Sequence, residues 1–225
     1  MKRYQSRRSN EVHQLIVTPS KHFYVTRKGV LKYQKKPFEI KLEGCENQKK
    51  THIIHYLIRD HFSGLVYWQI CAADAIIPIH EFLFNAWTKK ENQLFYGMPF
   101  YMTIPKNAQQ FFPGLLNFIE ALGINYIKVT SGFQGGVRDI RTIEEELRCA
   151  GLFLGNTTQF QNDLPFDLIL EKTHEICTRL SDNFYKKPSK KDVWLSGFRA
   201  NQEIYIPHSE KIFKTTYKKA RESEL

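Results

Sequence analysis

The sequence is poor in the residues that usually announce a metal or redox site. Its four cysteines, Cys45, Cys71, Cys149 and Cys177, stand far apart, with no CxxC pair and no close His/Cys group of zinc spacing. They read as free cytosolic thiols. His52 and His55 lie three apart in an apolar run, but on a strand that spacing puts them on opposite faces, so no shared metal is expected there. No apolar stretch of about 18 residues occurs, and the charged N-terminus is followed by no apolar h-region. The expectation is a soluble, unsecreted protein, cytoplasmic or nucleoid-associated, with no membrane partner. No internal repeat or long low-complexity tract stands out.

What is present is enough for a core. A chain of 225 residues, 42% hydrophobic and 14% aromatic, can bury one domain, with appendages at its two polar ends. Lys and Arg number 33 against 23 Asp and Glu, a formal charge of +10, which favours polyanionic partners through counterion release. The positive charge is clustered in "MKRYQSRR", "KYQKK", "NQKK", "FYKKPSKK" and "KIFKTTYKKAR". Nucleic acid is the leading partner class; a basic surface that only keeps the protein soluble is the plainer alternative.

Along the chain, residues 1 to about 20 read as a basic, flexible arm, and "HFYVTRKGVLKYQ" as a small hairpin around Gly29. "FEIKLEG" alternates like a strand, and "THIIHYLIRDHFSGLVYWQIC" reads as two core strands joined at "RDHFSG". From Ala72 to Lys90 the period becomes helical, with Ile76, Ile79, Leu83, Ala86 and Trp87 on one face and Pro78 early enough to be tolerated. "MPFYMTI" is a strand, "FFPGLLNFIEALGI" a helix stopped by Gly123, and "NYIKVT" another strand. "SGFQGG" reads as a glycine-rich loop before the helix "VRDIRTIEEELRCAGLF", and "EKTHEICTRLSDNFYKK" as a further helix. The expected division is a basic arm with a hairpin at 1–35, a core at 36–190 and a basic tail at 191–225.

This order of elements, an α/β pattern beginning with antiparallel strands, resembles the catalytic core of retroviral-type integrases and DDE transposases over roughly residues 36 to 190. The phrases that carry it are "HYLIRDHFSGLVYWQI", "GMPFYMTI" and "LGINYIKVTSGFQGGV". The resemblance implies a ribonuclease-H-like mixed sheet flanked by helices and a role in DNA integration or transposition. It also implies three carboxylates holding two Mg or Mn ions for phosphoryl transfer. The N-terminal His/His/Cys/Cys zinc module of retroviral integrases has no counterpart.

The acid positions of that pattern are altered. The first, in the middle of the first strand, falls about at Lys41, flanked in phase by Glu39 and Glu43, which are either substitutes or solvent-facing strand charges. The second falls in "KNAQQF", which resembles an Asp-Asn-Gly-x-x-Phe phrase with Lys106 for Asp, Asn107 and Phe111 kept, and Ala108 for Gly. An ammonium fixed about 4 Å from a divalent ion is repelled by roughly 8 kcal/mol at an effective dielectric near 20. The best counterpart of the third acid is Asp139, with Glu144, Glu145 and Glu146 farther along the helix; Asp139 and Glu146 share a face, and the Glu run also fits a solvated surface. Asp60 reads as a turn or cap residue.

Three functions follow. The first is a catalytically inactive integrase-like core that binds DNA, with Lys41, Lys106, Asn107, Lys128 and Arg138 at the former active-site edge, alone, as a homo-oligomer or with a partner recombinase. The second is an active, metal-dependent enzyme with displaced acids drawn from Glu39, Glu43, Asp60, Asp139 and Glu145. The third is a protein-interaction module without nucleic acid, in which runs such as "FFPGLL" form the binding surface.

Overall fold

A computed structural model describes residues 5–91, 93–129, 134–155, 164–182, 188–198 and 202–224. The strands are β1 (Val12–Val25), β2 (Val30–Tyr33), β3 (Thr51–Asp60), β4 (Val66–Ala72), β5 (Tyr101–Pro105), β6 (Asn125–Val129) and β7 (Leu164–Pro165). The helices are α1 (Ile79–Trp87), α2 (Lys106–Phe111), α3 (Leu115–Ala121), α4 (Gln134–Gly155), α5 (Phe166–Asp182), α6 (Lys190–Ser196) and α7 (Glu210–Glu222).

All seven strands join one sheet around β1. Antiparallel β3 lies on one side of β1, with β4 antiparallel beyond it. On the other side the first residues of β1 pair with parallel β5, which pairs with parallel β6, while the last residues of β1 pair with β2. The run β4-β3-β1-β5-β6, three antiparallel strands followed by two parallel ones, is the ribonuclease-H-like order that the resemblance implies. Alternation divides the side chains: Leu15, Val17, Ile54, Tyr56 and Ile58 face α1, α3, α6 and α7, and Ile16, Ile53, Leu57, Trp68 and Ile70 face α4 and α5.

The first strand is where sequence and structure part. Residues 12–25, expected as arm and hairpin, form the sheet's central strand, and "FEIKLEG" lies in the irregular segment after β2. Pro19 concealed this, because proline cannot donate to a ladder and demotes a strand to an edge. Here it sits where the β1–β3 register shifts between Pro19 and Tyr24, so the irregularity accommodates it. The hairpin around Gly29 does form, with β2 as its second arm and Gly29 at φ 72°. The helix expected from Phe111 to Gly123 starts only at Leu115: Phe111 ends α2, and Gly114, whose φ is 78°, precedes α3.

The basic tail is also not loose. Within 191–225, α6 buries Trp194 and α7 buries Phe213 and Ala220 against α1 and α3. Ser189 and Asp192 form a capping box at the start of α6, and Ser209 caps α7.

Below the sheet's β1–β3 end lies a buried polar network. Trp87 Nε1 donates to His13 Nδ1 at 3.1 Å, which leaves the ring proton on Nε2, 3.0 Å from Asn10 Oδ1. Asn10, in the left-handed region at φ 59°, donates its N–H to Asp60 Oδ1 at 3.1 Å. Asp60 Oδ2 accepts from both the N–H and the hydroxyl of Ser63, so Asp60 holds the β3–β4 turn. Burial lowers the His13 pKa to about 3 and raises that of Asp60 to about 6, the latter against the pull of its hydrogen bonds.

Candidate functional site

A cleft of about 510 Å3 opens where the middle of β1, the end of β5 and the first half of α4 meet. Its apolar walls include Ile16, Pro37, Pro105, Val137 and Ile140, and its polar lining includes Thr18, Lys21, His22, Asn107, Arg141 and Glu144. The parallel pairs Val12↔Tyr101 to Gln14↔Thr103, continued in register, bring Ile16 beside Pro105 and Val17 beside Lys106. Asn107 Nδ2 donates to the Val17 carbonyl at 3.0 Å and ties α2 to β1. Of the glycines expected in a loop, Gly135 and Gly136 lie instead in the first turn of α4 and Gly132 falls outside the described residues; a Cβ on Gly136 would collide with Ile16 Cδ1. Gly136 thus lets the helix approach the strand closely.

The first-strand residue facing the end of β5 is therefore Ile16, and Lys41 is exposed in the segment after β2, outside the cleft lining. Lys106 stands where expected, at the end of β5, exposed and flanked by the lining residues Pro105 and Asn107. Arg138 is exposed on α4 but does not line the cleft. Lys128 belongs to β6, and its side chain lies outside the described residues.

The carboxylates do not converge. Asp139 is buried away from the cleft, 3.0 Å from Arg59 Nε and 3.2 Å from Lys190 Nζ, so it joins α4 to β3 and α6. Glu145 pairs with Arg148 on its own helix and Glu146 with Arg179 on α5 at 3.2 Å. Glu39 and Glu43 are exposed in the segment after β2, and Asp60 is committed to its turn. Among the described residues no three of His, Cys, Asp and Glu come together as metal ligands. The described donor set of the cleft does not fit a pair of Mg or Mn ions, because among the described residues it offers one carboxylate beside Lys21 and Arg141.

That carboxylate is engaged. Trp68 Nε1 donates to His55 Nδ1 at 3.1 Å, so the His55 proton is on Nε2, which donates to Glu144 Oε1 at 3.3 Å. Ser20 Oγ donates to the same oxygen, while accepting from the N–H of His22 and of Phe23. Burial pushes the Glu144 carboxyl up, and the hydrogen bonds of His55 and Ser20 with the field of the histidines outweigh it and bring it below the usual value. Glu144→Gln keeps the shape and removes the charge. It should cost about 2 kcal/mol in urea denaturation at neutral pH, the scale of a hydrogen bond to a charged group. A depressed carboxyl contributes its stability above its unfolded pKa and loses it as pH falls, so the deficit should shrink in acid.

Sequence reasoning missed Ile16, Thr18, Lys21, His22 and Arg141. The available signal was "QLIVT", a β-branched run ending in threonine, ahead of the strands with which it pairs.

No family model and no curated protein matches the chain. Among the solved structures that resemble it in fold are three of retroviral origin. The simian T-cell lymphotropic virus intasome in complex with the PP2A regulatory subunit B56 gamma is 13% identical with a TM-score of 0.48, covering 91% of this chain and 60% of that one. The HTLV-2 integrase catalytic core domain with magnesium, in its dimeric form, is 14% identical with a TM-score of 0.43, covering 83% of this chain and 97% of that one. These are retroviral integrase structures. The trimeric form of the same HTLV-2 core is 15% identical with a TM-score of 0.44, covering 84% of this chain and 97% of that one. The present chain thus spans 60% of the length of the intasome chain, and its own strand order is what carries the fold assignment. Among the described residues no helix is long and apolar enough to cross a membrane.

Proposed function

We propose that this chain is an integrase-like core that binds nucleic-acid phosphate at the β1–β5–α4 cleft and carries no two-metal centre there. The observation that supports this reading is the make-up of the cleft. Lys21, His22 and Arg141 line it with Lys106 adjacent, and its one carboxylate, Glu144, is bonded to Ser20 and His55. Positive groups with no competing free carboxylate attract phosphates, and they oppose a divalent ion for the same reason. The residues first expected at this edge divide accordingly: Lys106 and Asn107 stay in the proposed interface, Asn107 as a fixed support. Arg138 on the exposed face of α4 extends it, and Lys41 adds charge from outside the cleft. DNA is the partner the resemblance implies, with a second copy of the chain or a partner recombinase as the assembly.

Lys21→Glu combined with Arg141→Glu should weaken binding of a labelled DNA duplex by a similar factor whatever its sequence. It should also make the slope of log K against log salt shallower by about 2. Both residues are exposed, so the fold should be kept. An unchanged affinity and slope in anisotropy titrations would remove the cleft from the interface.

A further inference from the structure

A surface that met only a phosphate backbone would need charge and no cavity, yet this one has both. The basic side chains surround a recess whose walls are the rings of Pro37 and Pro105 and the aliphatic side chains of Val137 and Ile140. Its volume of about 510 Å3 lies within the usual range of small-molecule sites, about 300–1,000 Å3. Val137 is 44% exposed, although the helix could have used the position for packing. We infer that the recess takes the base of an unpaired nucleotide while Lys21 and Arg141 hold the flanking phosphates, so that single-stranded nucleic acid is the preferred ligand. The inference rests on the phosphate-binding reading above and adds the state of the strand to it.

The polar groups of the recess fit such a guest. Asn107 spends its Nδ2 on the Val17 carbonyl, so its orientation is fixed and its Oδ1 is left as an acceptor for a base amino or imino group. His22 Nδ1 lies 3.0 Å from the Gln34 carbonyl, which can only accept, so the proton is on Nδ1 and Nε2 is left to accept from a base amino or imino group. Thr18 adds a hydroxyl on the same strand. A base still paired in a duplex keeps both faces stacked and its pairing edge occupied, so it cannot enter; an unpaired base exposes both. Apolar walls accept any base face, so the selectivity should be for strandedness over sequence.

The test is anisotropy titration of the full chain with three labelled probes of equal length: an ordinary single strand, an abasic strand with the same phosphates, and a duplex. The expected result is at least about tenfold tighter binding of the ordinary strand than of the abasic one, the scale of burying one base against apolar walls. Val137→Ser, at an exposed position, should narrow that ratio while leaving duplex affinity unchanged, with a thermal melt run in parallel. Equal binding of ordinary and abasic strands would overturn base capture and leave the phosphate reading in place. Failure to bind any of the three probes would overturn both.

Discussion

Asp60→Asn should steepen the acid loss of stability by about 3 kcal/mol between pH 6 and pH 3.8 relative to the unaltered protein, while His13→Gln should relieve about 5 kcal/mol of it between pH 6.5 and pH 3. The reason is that the two buried groups of one network shift in opposite ways. His13 is held neutral, its pKa lowered by burial from 6.5 to about 3. Its contribution is complete above pH 6.5 and is lost as pH falls toward 3, because the unfolded chain takes up a proton that the folded one refuses. Asp60 is raised by burial from 3.8 to about 6, so the folded state takes up its proton first, and stability rises by about 3 kcal/mol as pH falls from 6 to 3.8. In the unaltered protein these slopes oppose each other over that window, and the pair yields a net acid loss of about 2 kcal/mol. Relative to the unaltered protein, removing Asp60 leaves the His13 slope unopposed, and removing His13, with glutamine keeping an amide donor and acceptor, leaves the Asp60 slope unopposed. Urea denaturation at a series of pH values reads both slopes directly. Parallel pH profiles in the two variants would show that neither group is buried in its stated form.

Gly114→Ala should cost roughly 2–4 kcal/mol and release α7 from its seat. Gly114 lies between α2 and α3 at φ 78°, where an L side chain is strained. An added Cβ would also lie 2.6 Å from Arg221 Cα and 2.7 Å from Arg221 N, which are backbone atoms and cannot rotate away. At the same site the Gly114 N–H donates to the Glu224 carboxylate, and Tyr217 donates its hydroxyl to the Pro113 carbonyl at 3.1 Å. Loss of the fit would therefore uncover the Phe118, Phe213 and Tyr217 ring cluster. Denaturation curves and the rate of tryptic cleavage at the α7 lysines measure the effect. Gly29→Ala, at φ 72° with open space around it, supplies the strain without the collision and should cost less.

Much of the sheet was legible in the sequence because short-range rules govern it. The apolar, β-prone runs in "THIIHYLIRD" and "LVYWQIC" specified β3 and β4 as core strands, the change of period after Ala72 specified α1, and the phrases around Lys106 placed that residue at the end of β5. The phrase "DHFSG" read correctly as a turn, since an Asp that accepts from groups three residues on is a local motif. The four free thiols were equally plain from their spacing.

Only the tertiary structure could decide which segment leads the sheet and which acids share a site. A strand that contains Pro19 is disfavoured on local grounds, and the cost disappears only when the break in pairing beside it is known. Mistaking the first strand put the expectation at Lys41, whereas the β1 residue facing the end of β5 is Ile16, a displacement no local rule could detect. On α4, helical periodicity put Asp139, Glu144, Glu145 and Glu146 within two turns of one another without saying which faced Arg59, His55, Arg148 or Arg179. Sequence spacing measures angle around a helix, and a site is made by what stands across from each angle. Composition and local pattern therefore determined a basic, core-forming chain with an integrase-like order of elements, while packing across the sheet determined a cleft of apolar walls and cations in place of a cluster of carboxylates.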